Sequence, residues 1–89
     1  MAAGIRKSDG GWVLDSTVAG IAIDSRRVQP GYVFVAISGS TSDGHTFIHD
    51  AVGRGAIAVV GEKEGLTTKV PYFRVSSSRR AAAELSAAF

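Results

Sequence analysis

The chain contains no cysteine among its 89 residues. Disulfide bonds and thiolate metal sites are therefore excluded, and the sequence is compatible with a reducing compartment. Long apolar runs are also missing, because no stretch approaches the roughly 20 residues that a helix needs to span a bilayer. The N-terminal charges are not followed by the apolar region of a secretory signal peptide. These absences predict a soluble, cytoplasmic protein that has no membrane partner.

The chain also lacks a large excess of positive or negative charge. The formal net charge is +2 at pH 7, and the basic doublets are Arg26-Arg27 and Arg79-Arg80. No aromatic residues interleave with these doublets to form a surface on which bases could stack. The pattern is unlike that of a nucleic-acid-binding protein, so no nucleic-acid partner is expected. Hydrophobic residues make up 45% of the chain, which is enough for one packed core.

The apolar patterning predicts an α/β domain of three layers, with a mostly parallel sheet and a βαβ crossover. Residues 1–17 are expected to form a flexible or partly ordered lead-in, in which residues 12–14 either begin a strand or pack as a plug. Residues 18–89 are expected to form the folded domain. The predicted strands cover residues 18–23, 32–37, 56–60 and 72–75, and a turn is predicted at Pro30-Gly31.

Two helices are predicted from their apolar spacing. The first follows capping residues at 43–46 and ends at Arg54, with Gly55 as the residue after its C-terminus. Its apolar stripe is predicted to contain Phe47, Ile48, Ala51 and Val52. The second follows the serines at 76–78, and its apolar face is predicted to contain Ala81, Leu85, Ala88 and Phe89. Because the last residue is apolar, we expect the chain to be cut from a larger protein.

The segment from Asp24 to Ile37 leads into a loop of small residues, 38–44. This loop follows a buried strand and precedes a helix, which is where open α/β sheets bind ligands. Its glycines let a ligand approach the backbone, and its hydroxyls can pair with a base or a sugar. An ordinary strand-to-helix connection with capping residues is the alternative interpretation, and the residues alone favour it.

A second candidate cluster is Asp24-Ser25-Arg26. Asp24 and Arg26 fit a structural turn with a surface arginine, whereas the small hydroxyl of Ser25 can face the ends of the strands. His45 and His49 are four residues apart, but no third ligand is evident, so His45 is interpreted as a helix-start residue and His49 as a solvated one. The sequence contains neither G-x-G-x-x-G nor a Walker A motif, so no ATP-hydrolysing site is expected here.

A family resemblance rests on many spaced residues taken together. They are Asp24-Ser25-Arg26-x-Val28-x-Pro30-Gly31-x-x-Phe34-Val35-Ala36, then Gly39, then Asp43-Gly44-His45-x-Phe47-Ile48, then Ala51-x-x-x-Gly55-Ala56-x-Ala58-Val59-Val60. This pattern resembles the N-terminal domain of the Mur ligases, cytoplasmic enzymes of peptidoglycan synthesis. Residues 70–89 are more similar to the MurE type, the UDP-N-acetylmuramoyl-tripeptide synthetases, than to the MurF type. The resemblance covers residues 18–89.

The resemblance implies a three-domain ATP-dependent ligase of which this chain is the first domain. That domain would bind the UDP end of UDP-N-acetylmuramoyl-L-alanyl-D-glutamate. ATP and Mg²⁺ would belong to the central domain of the parent enzyme, so this chain would hold no cofactor, metal or catalytic residue and be inactive alone. Its partners would be the substrate and its own missing central and C-terminal domains. The uridine contacts implied by the resemblance are Ile23, Ser25, Ser40, Thr41 and Ser42.

This sequence departs from the family pattern at two points. The residues at 40–42 are often bulkier in relatives, so Ser40, Thr41 and Ser42 would contact the ligand more through their backbone than through their side chains. The helix that commonly opens the family's fold is not recognisable before Trp12. Two alternatives remain: the N-terminal domain of a MurF-type synthetase, or a non-enzymatic α/β module that mediates association.

Overall fold

The computed structural model describes residues 4–8, 11–37, 44–64 and 66–89. Six strands and two α-helices are found in these residues, together with short 3₁₀ helices at Ser25–Arg27 and Gly44–Phe47. In chain order the elements are β1 (Ile5–Ser8), β2 (Gly11–Leu14), β3 (Gly20–Ala22), β4 (Tyr32–Val35), α1 (Ile48–Gly53), β5 (Ala58–Gly61), β6 (Tyr72–Arg74) and α2 (Ser78–Ala88).

A four-stranded sheet with the order β3-β4-β5-β6 forms the centre of the fold. Every neighbouring pair in this sheet is parallel. The predicted α/β class, the parallel sheet and the βαβ crossover from β4 through α1 to β5 are thus confirmed. The two middle strands are buried on both faces, which explains why their sequences read as unbroken apolar runs.

The core lies on both faces of the sheet and gives the fold its three layers. On one face, Val33, Val35 and Val60 pack with the buried residues of α2 and of the first two strands. On the other face, Phe34 and Val59 pack with buried residues of α1 and of the segment around the first 3₁₀ helix. Side chains alternate between the two faces along each strand, so one apolar run supplies both clusters.

An antiparallel hairpin of β1 and β2 precedes the sheet, with Ile5 opposite Leu14 and Ser8 opposite Gly11. Residues 1–17 were expected to form a flexible or partly ordered lead-in, and within the described part of this segment β1 and β2 pair with each other. Ile5 and Trp12 are buried in the core cluster beside α2, and the Trp12 ring meets Phe73 edge-on at 5.7 Å between centroids. A domain boundary at residue 18 stays a prediction.

Helix α2 begins at the predicted serines, and Ser77 caps it by accepting a hydrogen bond from the Arg80 N–H. Ala81 and Leu85 are buried as predicted. The prediction is wrong at the end of the helix, where Ala88 and Phe89 are exposed. Apolar spacing identifies residues that share a helix face but does not determine how far the surface beneath the helix extends. The described part of the chain contains no helix both long and apolar enough to cross a membrane.

The first predicted helix is split in the structure. A 3₁₀ turn over Gly44–Phe47 precedes α1, and Ile48 and Ala51 are buried as predicted. Phe47 is 45% exposed, so its predicted place on the apolar stripe is wrong. A 3₁₀ helix has three residues per turn, which rotates Phe47 away from the face set by the α-helix. Gly55 has φ +105°, the left-handed conformation expected just after a helix.

Candidate functional site

A groove opens where β3 and β4 end side by side. Ala22 lies opposite Phe34 in this parallel pair, so the segments that follow the two strands leave the same edge of the sheet. Ligands of open α/β sheets bind beyond this edge. The groove has a volume of about 510 Å³. It is lined by Ile23, Asp24, Ser25, Arg26, Ile37, Gly44, Phe47 and Asp50.

Asp24 and Arg26 build the wall of the groove that follows β3. The Asp24 Oδ1 atom accepts hydrogen bonds from the Arg26 N–H at 3.0 Å and from the Arg26 Nε–H at 3.1 Å, and Oδ2 accepts from the guanidinium at 2.8 Å. These bonds from Arg26 lower the pKa of Asp24 from 3.8 to about 2. Asp24 thereby caps the 3₁₀ helix Ser25–Arg27, in agreement with the structural turn expected from the sequence.

Ser25 lies at the base of the groove and is only 5% exposed. The Asp50 carboxylate of α1 lines the same groove. It accepts a hydrogen bond from Arg54, whose Nε donates to Asp50 Oδ2 at 3.1 Å. The neighbouring Ser25 hydroxyl, followed by the Arg54 contact, lowers the pKa of Asp50. The crossover helix therefore packs beside the turn after β3 at the groove.

Two apolar side chains at the groove are open to solvent. Ile23 is 58% exposed and Phe47 is 45% exposed. Exposed large apolar groups beside a polar concavity are typical of ligand sites, in which a flat ring can rest on apolar surface while its edge forms hydrogen bonds. Together with Ser25, these residues give the groove an apolar rim and a polar base.

The predicted contact residues Ser40, Thr41 and Ser42 lie outside the described residues. The described residues on either side of this segment, Ile37 and Gly44, both line the groove. The Gly44 N–H donates to the Ile37 carbonyl at 2.9 Å, which holds these two residues close together. Of the five predicted contacts, the structure thus places Ile23 and Ser25 together in one groove.

His45 joins the crossover to the end of β5. It lies at the start of the second 3₁₀ helix, as predicted, and it is buried there. Its Nε2 atom accepts a hydrogen bond from the Glu62 N–H at 2.9 Å. His49 is exposed on α1, also as predicted. Among residues 4–8, 11–37, 44–64 and 66–89, no three or more His, Cys, Asp or Glu side chains form a group that could hold a metal ion.

A second hollow, of about 390 Å³, lies at the N-terminus of α2. Lys7, Ser77, Arg80 and Glu84 are among the residues that line it. The Arg80 Nε donates to Glu84 at 3.2 Å, so its charge is already paired. Unlike the groove, this hollow contains neither of the two described uridine-contact residues that the sequence predicts.

Sequence reasoning did not single out Asp50, and it assigned Phe47 to a buried stripe. Asp50 is distant from Ser25 along the chain, and only the packing of α1 beside the first 3₁₀ helix brings them together. No spacing rule links such a pair. The 3₁₀ turn that exposes Phe47 begins at Gly44. This glycine is a sequence signal from which a later start of the α-helix could have been predicted.

Comparison with known families gives a match over residues 17–89, to the model described as Mur ligase family, catalytic domain. A UDP-N-acetylmuramoyl-L-alanyl-D-glutamate–2,6-diaminopimelate ligase from Bradyrhizobium diazoefficiens is 47% identical over 72 residues, which are 81% of this chain and 15% of that protein. A UDP-N-acetylmuramyl-tripeptide synthetase from Deinococcus radiodurans is 43% identical over 76 residues, 83% of this chain and 16% of that protein. The chain thus spans about one-sixth of the length of these relatives.

Solved structures resemble the fold as well. The MurF ligase from Thermotoga maritima, solved with ADP, matches with a TM-score of 0.68 and 35% identity over 80% of this chain and 16% of that chain. MurF from Acinetobacter baumannii also matches with a TM-score of 0.68, at 26% identity over 76% of this chain and 15% of that chain. Since the family match covers most of the residues and agrees with both the sequence relatives and the fold, the chain belongs to the Mur ligase family.

Proposed function

We propose that this chain is the UDP-binding domain of a cytoplasmic MurE-type ligase, which acts on UDP-N-acetylmuramoyl-L-alanyl-D-glutamate in peptidoglycan synthesis. The observation that carries the proposal is the groove at the ends of β3 and β4, in which Ile23 and Ser25 lie together. Its volume of about 510 Å³ is in the range of small-molecule sites.

The chemistry of the groove suits a nucleoside. Ile23 and Phe47 offer apolar surface to the faces of a pyrimidine ring, and Ser25 offers a hydrogen-bonding group to its edge. Ser40, Thr41 and Ser42, which the family resemblance names, would complete the uridine contacts. In this proposal Asp24 and Arg26 maintain the turn, because they are hydrogen-bonded to each other.

The MurE type is favoured over the MurF type by the sequence relatives. The relatives named as diaminopimelate ligases or tripeptide synthetases share 39–53% identity with this chain over the matched residues, whereas the MurF structures share 26–35%. The MurF type remains the second candidate, since its solved structures match the fold at a TM-score of 0.68. The protein sequence that follows Phe89 in the parent gene would distinguish the two types.

In the proposed enzyme, ATP and Mg²⁺ act in the central domain, outside these 89 residues. The contribution of this domain is positioning: it anchors the UDP end so that the peptide end of the substrate reaches the catalytic centre. The chain alone should therefore bind UDP without forming an amide bond. The substrate and the central and C-terminal domains are its proposed partners.

Light scattering tests the alternative of an association module, which predicts a tight dimer without affinity for UDP.

Calorimetric titration of the chain with UDP tests the proposal. We expect saturable binding that is weakened about 2- to 12-fold by Ser25→Ala, because one hydrogen bond contributes about 0.5–1.5 kcal/mol. Thr41→Ala tests the predicted loop contact in the same way. Ser86→Ala is the matched control, since Ser86 is an exposed serine on α2. Absence of saturable UDP binding would contradict the proposed function, and equal affinities of Ser25→Ala and the unmodified chain would contradict the site.

A further inference from the structure

The imidazole of His45 reaches from the second 3₁₀ helix to the end of β5. The residue is buried, and its Nε2 atom lies 2.9 Å from the Glu62 backbone nitrogen and 3.4 Å from that of Lys63. Both backbone groups are donors, so Nε2 faces them with a lone pair, and the hydrogen of the neutral ring is assigned to Nδ1. The reversed ring would put a carbon opposite the Glu62 N–H and remove the acceptor of this hydrogen bond.

A glycine at the end of β5 makes room for this contact. A Cβ atom at Gly61 would lie 2.7 Å from His45 Nε2 and 2.6 Å from the Tyr72 hydroxyl oxygen. The Tyr72 hydroxyl donates to the Lys63 carbonyl at 2.8 Å, which ties the segment after β5 to β6 as well. The imidazole therefore occupies a place that the absence of a side chain at residue 61 keeps open.

The element that His45 holds is a wall of the groove. His45 belongs to the 3₁₀ helix Gly44–Phe47, and the first and last residues of this helix line the groove. A single 3₁₀ turn has few internal hydrogen bonds, and the apolar side chain of Phe47 cannot cap the α-helix that follows. Two bonds fasten the turn to the sheet region: the Gly44 N–H donates to the Ile37 carbonyl after β4, and His45 accepts from Glu62 after β5.

His45 acts on the groove from outside it, because the residue lines a different hollow. We propose that His45 is a positioning residue, whose neutral imidazole fixes the 3₁₀ helix so that Gly44 and Phe47 form a wall that fits uridine. This inference rests on the proposed function, because it assumes that the groove holds the nucleoside.

Proton uptake by His45 would break this anchor. A protonated imidazole carries hydrogens on both nitrogens, so Nε2–H and the Glu62 N–H would meet as two donors. The other titratable or charged side chains around the imidazole are Glu62, Lys63, Tyr72, Arg74, His49 and Lys69. Among these side-chain types, only imidazole ordinarily changes charge between about pH 5 and pH 8. The Glu62 carboxylate is engaged with α2, where it accepts the Ser78 N–H at 2.8 Å.

The pH dependence of UDP binding follows from this anchor. UDP binds the anchored wall and the proton binds the released imidazole, so each weakens the other, and UDP affinity falls as pH falls. Calorimetric titrations at about pH 7.5 and about pH 5.5 cover the imidazole range. UDP itself gains a proton on its phosphate near pH 6, but this contribution is the same for every variant of the chain.

His45→Gln and His49→Gln form the matched pair of variants. The glutamine oxygen at residue 45 can accept from the Glu62 N–H and takes up no proton in this range. The fall in affinity between the two pH values should therefore be at least about threefold smaller in His45→Gln than in the unmodified chain. His49 is an exposed histidine four residues further along the chain, and His49→Gln should keep the full pH dependence.

His45→Ala removes the acceptor altogether. Its affinity for UDP at about pH 7.5 should be at least about fivefold below that of the unmodified chain, whereas His45→Gln should stay within about twofold. Rescue by glutamine distinguishes the lost acceptor from a lost contact with the ligand. Equal UDP affinities of His45→Ala and the unmodified chain would overturn the inference.

The remaining outcomes separate this inference from the proposed function. If the chain binds UDP and His45→Gln has the same pH dependence as His49→Gln, the inference is overturned while the proposed function stands. If the unmodified chain does not bind UDP, both are overturned. A measurement on the unmodified chain without ligand guards against misfolded variants: the imidazole nitrogen chemical shifts of neutral His45 should show the hydrogen on Nδ1. A hydrogen on Nε2 would also overturn the inference.

Discussion

Gly44 is the position at which one added methyl group should do most damage to the candidate site. A Cβ atom at residue 44 would lie 2.6 Å from the Ile37 nitrogen and 2.8 Å from the Ile37 oxygen. Both are backbone atoms, so no side chain can rotate to relieve the overlap. The Gly44→Ala chain must instead separate residue 44 from Ile37, and it loses the Gly44 N–H to Ile37 carbonyl bond of 2.9 Å.

The expected loss of stability is about 1–3 kcal/mol, which is typical for an added methyl group in a tightly packed place and includes the strained hydrogen bond. For a domain of this size, each kcal/mol corresponds to a fall in Tm of about 4–8 °C. Since Ile37 and Gly44 both line the groove, UDP affinity should also fall under conditions in which the variant is fully folded.

Gly53→Ala is the matched control for this prediction. No heavy atom lies within 4 Å of a Cβ placed at Gly53, and this residue ends α1. The substitution should be neutral or stabilise the fold by up to about 1 kcal/mol. Urea denaturation and UDP titration of both variants provide the assay. A Gly44→Ala chain as stable as the unmodified chain, with the same UDP affinity, would refute the argument from close backbone approach.

Two further predictions concern stability. Leu85→Ala removes a fully buried side chain of α2 and should cost about 2–5 kcal/mol in urea denaturation; a loss below about 1 kcal/mol would show that α2 is not part of the core. Asp24→Asn tests the pH dependence, because the pKa of Asp24 falls from 3.8 to about 2 on folding. Its carboxylate stabilises the fold above the unfolded pKa, and this is lost as pH falls towards 2. The stability advantage over Asp24→Asn should therefore shrink between about pH 5 and pH 2, and a constant difference would contradict the Arg26 contact.

The middle of the sheet could be predicted from the sequence because burial on both faces requires continuous apolar residues. Strands β4 and β5 were found in this way, and helical apolar spacing identified the buried positions Ala81 and Leu85 of α2. The hairpin at the N-terminus was missed because each of its strands is short, and the alternation of apolar and polar residues depends on just Ile5 and Trp12. The pair Asp9-Gly10 between its strands in the sequence is typical of two-residue hairpin turns and could have revealed it.

The candidate site was predicted only in part, for a physical reason. Its location follows from parallel strands, whose carboxyl ends share one edge. The family resemblance, and not the strand geometry, named Ile23 and Ser25 as contacts there. The place of Asp50 beside Ser25 in the groove depends on how α1 packs against the 3₁₀ helix after β3. That packing is set by the whole core on this face of the sheet, and no local pattern encodes it. The predicted contacts of Ser40, Thr41 and Ser42 remain predictions.

The position of bound UDP is the most direct test of the central claim. In a titration followed by amide chemical shifts, the N–H signals of Ile23, Ser25 and Gly44, which line the groove, should move together and saturate with one affinity. Those of Ser77 and Arg80, at the hollow beside α2, should stay in place. Saturable shifts at Ser77 and Arg80 with none at Ile23 and Ser25 would contradict the claim that the groove beside β3 and β4 binds the uridine end of the substrate.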